Sequence, residues 1–387
     1  MKSKSIKIIR SATVPGSLNI FCRGLLRELQ EEDGYEIVAV SSPGTQLEEI
    51  ATREGVKTVA VPMERHISPL KDLVSLIRLI RVFRREKPMM VHSMTPKAGL
   101  LSMMAARIAG VPLRVHTFTG LVFPTATGFT KKILMFTDRL TCACATHIVP
   151  EGEGVKNDLI SHHITGKPLQ VLGHGNIRGI DLDHYDPERD DVAEQASEIR
   201  RRDLFTFIFI GRLVGDKGIN ELVEAFGRLN REHPDSRLLL VGPEEQNLDP
   251  LRPETLSAIR SNIHIEAVGR QNDVRPWLAA SDVLVFPSYR EGFPNVVIEA
   301  GAMGLPSVVT DINGSREIIM DGENGIIIPP RNAEALFQGM KRLLEDRCTV
   351  DRMRSNARQL IASRYEQSYV RDCLKVFYNK IIENEIV

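Results

Sequence analysis

Short, nearly continuous apolar runs recur along this chain, and each is followed by a longer stretch with helical periodicity. IKIIR (6–10), EIVAVSS (36–42), TVAVP (58–62), MVHSM (90–94), LRVHTF (113–118), HIVP (147–150) and LQVLG (169–173) form a first series. FTFIFIG (205–211), RLLLVG (237–242), IHIEAVG (263–269), VLVFPS (283–288), PSVVTD (306–311) and GIIIPP (325–330) form a second. Strands that lack polar alternation are buried on both faces, and strands that alternate with helices build parallel sheets. Between the two series, residues 173–203 are rich in Gly, Asp, Glu and Arg and read as a linker with one polar helix. The expected fold is therefore α/β, with two doubly wound, Rossmann-like domains facing each other across a cleft. Their expected bounds are 1–175 and 204–367, joined by a linker at 176–203. The last helix, 368–387, is a candidate to pack back on the first domain. A length of 387 residues agrees with two cores rather than one.

Composition narrows the function. Formal net charge is zero and aromatics are only 5%, which argues against nucleic acid as a partner. The zero conceals a division. Residues 1–170 carry 23 Lys/Arg against 15 Asp/Glu, a net of +8, and the remainder carries 27 against 35, a net of −8. Different partners for the two halves are implied. Five cysteines without framework spacing suit a reducing compartment, and Cys142 and Cys144 read as buried thiols rather than zinc ligands. MKSKSIKIIRSA does not read as a secretory signal, and no run reaches the roughly 20 apolar residues of a spanning helix. The expected location is the cytoplasm, at most on a membrane surface.

Four segments carry candidate chemistry. Thr13-Val14-Pro15-Gly16-Ser17 links the first strand to a helix, where the backbone at Gly16 can approach an anion; an ordinary turn would look the same. Gly211-Arg212-Leu213-Val214-Gly215-Asp216-Lys217-Gly218 sets two cations where a strand ends and a helix begins near Ile219. A guanidinium fork and an ammonium there suit a diphosphate, although the order is not that of a Walker loop. REGFPNVVIEAGAMGLP (290–306) holds Glu291 and Glu299, with Pro294 placed to start a helix between them. If both were helical they would stand about 12 Å apart along the axis. A glycosidase pair that retains configuration needs about 5 to 5.5 Å, so the two are expected to act separately. The amides of Phe293, Asn295 and Val296 would face an anion at the helix N-terminus. Glu291 would then meet neutral hydroxyls, and Glu299 a different hydroxyl pair, such as a ribose. Ser68 and Pro69 open a helix with Leu73, Leu76, Ile77, Ile80 and Phe83 expected on its covered face. Its residues 71–88 net +4, which suits either a solvated face or an anionic membrane surface. His116 ends a strand at the cleft edge, before the candidate acceptor loop FTGLVFPTATG; His92 ends the preceding strand.

Taken together, these segments resemble the family 4 glycosyltransferases that retain anomeric configuration and have the GT-B fold. The strongest likeness is SDVLVFPSYREGFPNVVIEAGAMGLPSVVTDINGSREIIMDGENGIIIPP (281–330), with Gly211-Arg212 and Lys217-Gly218 similar to that family's diphosphate-binding pair. VHSMTPKAGLLSMMAARIAGVPLRVHTFTG and GHGNIRGIDLDHY resemble a subgroup that assembles capsule or O-antigen units on polyprenyl diphosphate lipids. The resemblance implies an acceptor domain followed by a nucleotide-sugar donor domain, and a UDP-sugar donor. In it Arg212 and Lys217 neutralise the diphosphate, Glu299 binds the ribose and Arg270 lies where the base sits. Glu291, with the amides of Phe293 and Asn295, orients the transferred sugar, and Gly16 approaches the distal phosphate. His116 matches a histidine between donor sugar and acceptor. Where many members have two glycines, this chain has Gly16-Ser17. No cofactor or metal is implied, and the acceptor is a lipid-linked saccharide. An epimerase or phosphorylase of the same architecture, or a sugar-nucleotide-binding subunit without catalysis, are the alternative readings.

Overall fold

The computed structural model describes residues 5–64, 66, 68–245 and 249–386. The first residues of the basic start and the final residue of the expected 368–387 helix lie outside them. The chain divides into two compact units, residues 1–179 with 368–387, and residues 180–367. The segment 176–203, expected as a linker, is mostly part of the second unit. Its helix Asp190–Ile199 buries Val192 in that unit's core. Ile180 donates its amide to the Tyr365 carbonyl, and Gln367 donates to the Ile180 carbonyl.

The first unit holds strands β1 (Lys7–Ser11), β2 (Glu36–Ser41), β3 (Lys57–Ala60), β4 (Met90–Met94), β5 (Leu113–Phe118) and β6 (His147–Pro150). They form one parallel sheet in the order β3-β2-β1-β4-β5-β6. LQVLG, expected as a seventh strand, makes only a single bridge from Leu169 to Ile148. Adjacent residues serve opposite faces of the sheet: Ile8 packs in one cluster and Ile9 in the other, and both are fully buried.

Two helices of this unit depart from the sequence expectation. The run 17–30 is two helices, Pro15–Cys22 and Leu25–Glu31, because Gly24 takes a left-handed conformation between them. In the helix Pro69–Glu86 the covered face is Ser75, Leu79, Val82, Phe83 and Glu86, so Leu73 and Ile77 lie outside. Polar anchors set that rotation. Ser75 donates to the Pro62 carbonyl at 2.6 Å. Glu86 meets Lys57 at 2.7 Å, Arg85 at 3.0 Å and Lys7 at 3.3 Å.

The closing helix Gln367–Ile386 packs on the first unit's sheet through Phe377, Tyr378, Ile381 and Ile382. The Tyr378 hydroxyl meets Arg10 Nη1 and His92 Nδ1 in a fully buried cluster, and His92 Nε2 lies 2.7 Å from the Thr117 hydroxyl. His92 is thereby a core residue; burial and the neighbouring Arg10 charge hold it neutral.

The second unit repeats the plan with β7 (Phe205–Ile210), β8 (Ser236–Val241), β9 (Ile265–Gly269), β10 (Val283–Phe286), β11 (Ser307–Thr310) and β12 (Gly325–Ile328). Its parallel order is β12-β11-β10-β7-β8-β9. Each sheet reverses direction once, between β1 and β4 and between β7 and β10. In open sheets such a switch point is where ligands bind, beyond the carboxyl ends of the strands.

Glu86 gives a test of the first unit. Burial opposes its charge, but hydrogen bonds from Lys57, Arg85 and Lys7 prevail and hold its carboxyl at about 2, below the ordinary 4.5. A depressed folded pKa means stabilisation that is complete above about pH 5 and lost as pH falls toward 2. Glu86→Gln is expected to cost roughly 1–3 kcal/mol at neutral pH. Thermal unfolding from pH 7 down to pH 3 should show the two proteins converging; a gap of constant size would exclude this role.

Candidate active site

In the second unit the chain leaves β7 and β10 on neighbouring paths. After β7 comes the single turn Gly215–Lys217, then the helix Ile219–Glu232. Asp249 braces that turn: its carbonyl accepts from the Gly215 amide at 3.2 Å, and its carboxylate from the Asp216 amide at 2.5 Å. Gly218 sits at φ 72°, and a Cβ there would lie 2.2 Å from the Pro287 carbonyl oxygen. Only glycine lets the two loops touch. The second loop is tied to the first through the Tyr289 amide, which donates to the Asp216 carbonyl at 2.9 Å. The Tyr289 hydroxyl donates to Glu221 at 2.6 Å, and Arg290 pairs with Asp216 at 3.4 Å.

Lys217 and Glu291 meet at this junction as an ion pair, both side chains largely withdrawn from solvent. The Lys217 ammonium also stands 5.5 Å from the centre of the Phe286 ring. Ser288, at the end of β10, donates its hydroxyl to Glu291 Oε1 at 3.0 Å. Glu291 is thus oriented by one cation, from the turn after β7, and one hydroxyl, from just beyond β10. Arg212 turns instead to Glu245, at 3.0 Å, with both side chains partly exposed.

Glu291 and Glu299 occupy different elements. Glu291 lies in the loop, and Glu299 in the second turn of the helix Asn295–Ala302, where it is half-buried. Pro294 is the N-cap of that helix rather than its first residue, and it offers no side-chain acceptor to the first-turn amides. Asn295 and Val296 open the helix, half-buried. Phe293 is buried, its ring edge-on to Tyr365 at 5.5 Å. Gly314 presses on this entry so closely that a Cβ would stand 2.7 Å from the Gly292 carbonyl oxygen. Arg270 is exposed just beyond β9, the edge strand.

The first unit holds the other two candidates. Gly16 is the second residue of the helix that follows β1 and packs near Gln46. His116, on β5, is buried: Nδ1 lies 2.9 Å from the Ser93 hydroxyl, and its ring meets Phe118 edge-on at 4.5 Å. Burial drives its pKa down to about 3, so the imidazole is neutral. His116 lines a small pocket with Thr95, Thr119, Leu134, Thr137 and Asp138.

Reading the sequence missed Ser288, Asp249, Tyr289 and Asp138. Ser288 stood in view, immediately before YREG. Asp249 lies 33 residues beyond the amide it braces, and no local pattern signals that contact. Among the described residues, no three His, Cys, Asp or Glu gather as metal ligands.

Residues 16–175 match the glycosyl transferase 4-like domain model, and residues 205–346 match that of the group 1 glycosyl transferases. The capsular polysaccharide biosynthesis glycosyltransferase CapM of Staphylococcus aureus is 28% identical over 98% of this chain and 98% of its own. An Escherichia coli protein, UDP-Gal:alpha-D-GlcNAc-diphosphoundecaprenol alpha-1,3-galactosyltransferase, is 28% identical over 86% of each chain. The crystal structure of Anabaena Alr3699/HepE with UDP and glucose superposes with a TM-score of 0.80 at 16% identity, covering 97% of this chain and 100% of its own. Two six-stranded parallel sheets of this order, each in a unit matched by its own family model, make the chain a glycosyltransferase of the GT-B fold, a 4-like domain followed by a group 1 domain.

Proposed function

We propose that this glycosyltransferase moves a sugar from a UDP-sugar to a saccharide carried on a polyprenyl diphosphate lipid, in the assembly of a surface polysaccharide, with retention of configuration. The observation that carries the reading is the junction of Lys217, Glu291 and the helix opening at Asn295, gathered at the switch point of the second unit. The relatives' names support donor and acceptor: the Escherichia coli protein takes UDP-Gal and a diphosphoundecaprenol acceptor, and the Anabaena protein binds UDP and glucose.

As the glycosidic bond breaks, its electron pair leaves with the diphosphate, which gains negative charge. Lys217, Arg212 and the amides of Phe293, Asn295 and Val296 supply positive potential where that charge grows. A diphosphate near Lys217 would share the ammonium now held by Glu291, so sugar orientation and phosphate neutralisation are coupled through one ion pair. Glu291 orients the sugar, Glu299 binds the ribose, Arg270 borders the base and Gly16 meets the distal phosphate. The acceptor oxygen bonds to the anomeric carbon on the face the diphosphate leaves, and its proton passes to the departing phosphate oxygen. His116, neutral, contributes at the acceptor side. These cations take the place of a divalent metal.

The two glutamates should fail differently. Glu299→Ala is expected to weaken UDP binding about ten-fold, read as a smaller UDP-induced rise in Tm. Glu291→Gln should leave UDP binding nearly intact and lower turnover about 10²- to 10³-fold. Equal UDP stabilisation of wild type and Glu299→Ala would remove the ribose assignment. Turnover should survive EDTA; loss of activity restored by Mg²⁺ would replace the cations with a metal.

We also propose that the first unit rests on an anionic membrane through the helix Pro69–Glu86. Leu70 is 81% exposed and Leu73 54%, with Val74 and Ile77 beside them and Arg78 and Arg81 flanking. Among the described residues, no helix is long and apolar enough to cross a membrane. A surface helix combines apolar insertion with attraction worth about 1 kcal/mol per basic residue. Co-sedimentation with phosphatidylglycerol vesicles is expected, falling at least five-fold in Leu70→Glu/Leu73→Glu and weakening with salt. Equal sedimentation of the variant would rule this surface out.

A further inference from the structure

Among the described residues, the buried carboxylates Glu54 and Glu86 of the first unit have cationic partners, and half-buried Asp138 has none. Glu86 is ringed by Lys57, Arg85 and Lys7. Glu54 accepts from the Gly24 amide at 3.0 Å and pairs with Arg53 at 2.8 Å. Asp72 pairs with Lys97 at 2.5 Å. Asp138 lies on the inward side of the helix Gly128–Cys144, in register with Leu134, Thr141 and Cys142. Burial pushes its carboxyl up to about 7, and no cation or hydrogen-bond donor among the described residues offsets this. The nearby cations are committed elsewhere. Arg139 donates to the carbonyls of His163 and His162, and Lys167 to those of Cys142, Ala143 and Ala145.

The carboxyl opens onto the pocket lined by His116. That pocket is built rather than incidental. Gly99 lies so close under the imidazole that a Cβ would stand 2.3 Å from Cε1. Thr95, whose carbonyl accepts from the Gly99 amide at 2.8 Å, is a β-branched residue at φ 70°, a costly conformation. The Thr13 hydroxyl holds it there, 2.8 Å from Thr95 Oγ1. Thr95, Thr119 and Thr137 share the lining with apolar Leu121, Val122 and Leu134. With a volume of only about 30 Å³, the pocket takes a single hydroxyl or hydroxymethyl arm of a sugar rather than a whole ring.

We propose that Asp138 is a substrate-binding carboxylate, accepting a hydrogen bond from one hydroxyl of the acceptor saccharide that reaches into the pocket beside His116. The inference rests on the acceptor reading above. It gives a partner to a carboxyl that has none among the described residues, in a half-buried site where the ligand would take the place of water.

Asp138→Asn and Asp138→Leu in the full chain provide the test, with UDP-sugars and bacterial membrane lipid extract as the probes and mass spectrometry as the readout. Asp138→Asn is expected to need at least ten-fold more extract for half-maximal transfer, with the Kd for UDP within two-fold of wild type. Stability supplies a second readout. The carboxyl's pKa is raised on folding, so wild type loses stability as pH rises from about 4 to 7, and the variants do not. The facing groups hold constant charge over this range: His116 titrates at about 3 and Cys142 at about 12. Lys167, beyond Cys142, stays bound to its carbonyls. Both variants should therefore match wild type in Tm at about pH 4 and exceed it at pH 8. Unchanged extract dependence, or a variant less stable than wild type at pH 8, overturns the assignment. Absence of transfer by wild type with every donor would remove the lipid-acceptor reading instead. In that event a higher Tm at pH 8 still supports a carboxyl kept for a ligand, and a lower one overturns it.

Discussion

The contact on which the second unit's site depends is that between Gly218 and the Pro287 carbonyl. β7 and β10 are neighbours, yet the chain leaves them toward opposite sides of the sheet. Their loops are therefore brought together with no helix between them. Glycine at 218 allows them to close, and once closed they share hydrogen bonds from Tyr289 to Asp216 and Glu221. Lys217 and Glu291, 74 residues apart in sequence, become an ion pair only because of this closure. A side chain at 218 would force the loops apart and separate the group that neutralises phosphate from the one that orients sugar.

Three carboxylates show how surroundings assign roles to one chemical group. Glu86 is buried among three cations and serves stability. Glu291 has one cation and one hydroxyl and retains oxygen capacity for a ligand. Asp138 has neither, and its carboxyl is held near neutrality by burial alone. Passing from the first to the third, electrostatic support within the chain falls and the capacity to respond to a bound group rises.

Much of the architecture was legible because a strand buried on both faces needs mostly apolar residues, and ten of the twelve strands are of this kind, while β3 and β9, at sheet edges, are partly exposed. LQVLG has the same composition, but Leu169 alone reaches β6; composition does not say whether a sheet has room for another strand. The break at Gly24 and the rotation of the helix Pro69–Glu86 escaped periodicity for a common reason. Both involve tertiary partners: Glu54, which accepts from the amide of left-handed Gly24, and polar anchors at Ser75 and Glu86 that prevail over the apolar stripe. At the site, residue types and loop positions were readable from strand ends and helix starts. The pairing of Lys217 with Glu291, the Asp249 brace and the unpaired state of Asp138 were not, since each depends on which distant groups fold alongside. Pro294 was misplaced by one position, as N1 instead of N-cap, because proline's fixed φ suits both.

The return of the helix Gln367–Ile386 to the first unit has a consequence for biosynthesis. Tyr378 closes a cluster around Arg10, whose guanidinium is buried with no carboxylate among its hydrogen-bond partners. A nascent chain reaches this helix only after the second unit. The second unit, continuous from 180 to 367, can complete its core on the ribosome while the first still lacks one wall. Of these two units, maturation therefore runs against the order of synthesis: the one begun first is completed after the other, and until then its exposed sheet face is a surface for chaperones to guard.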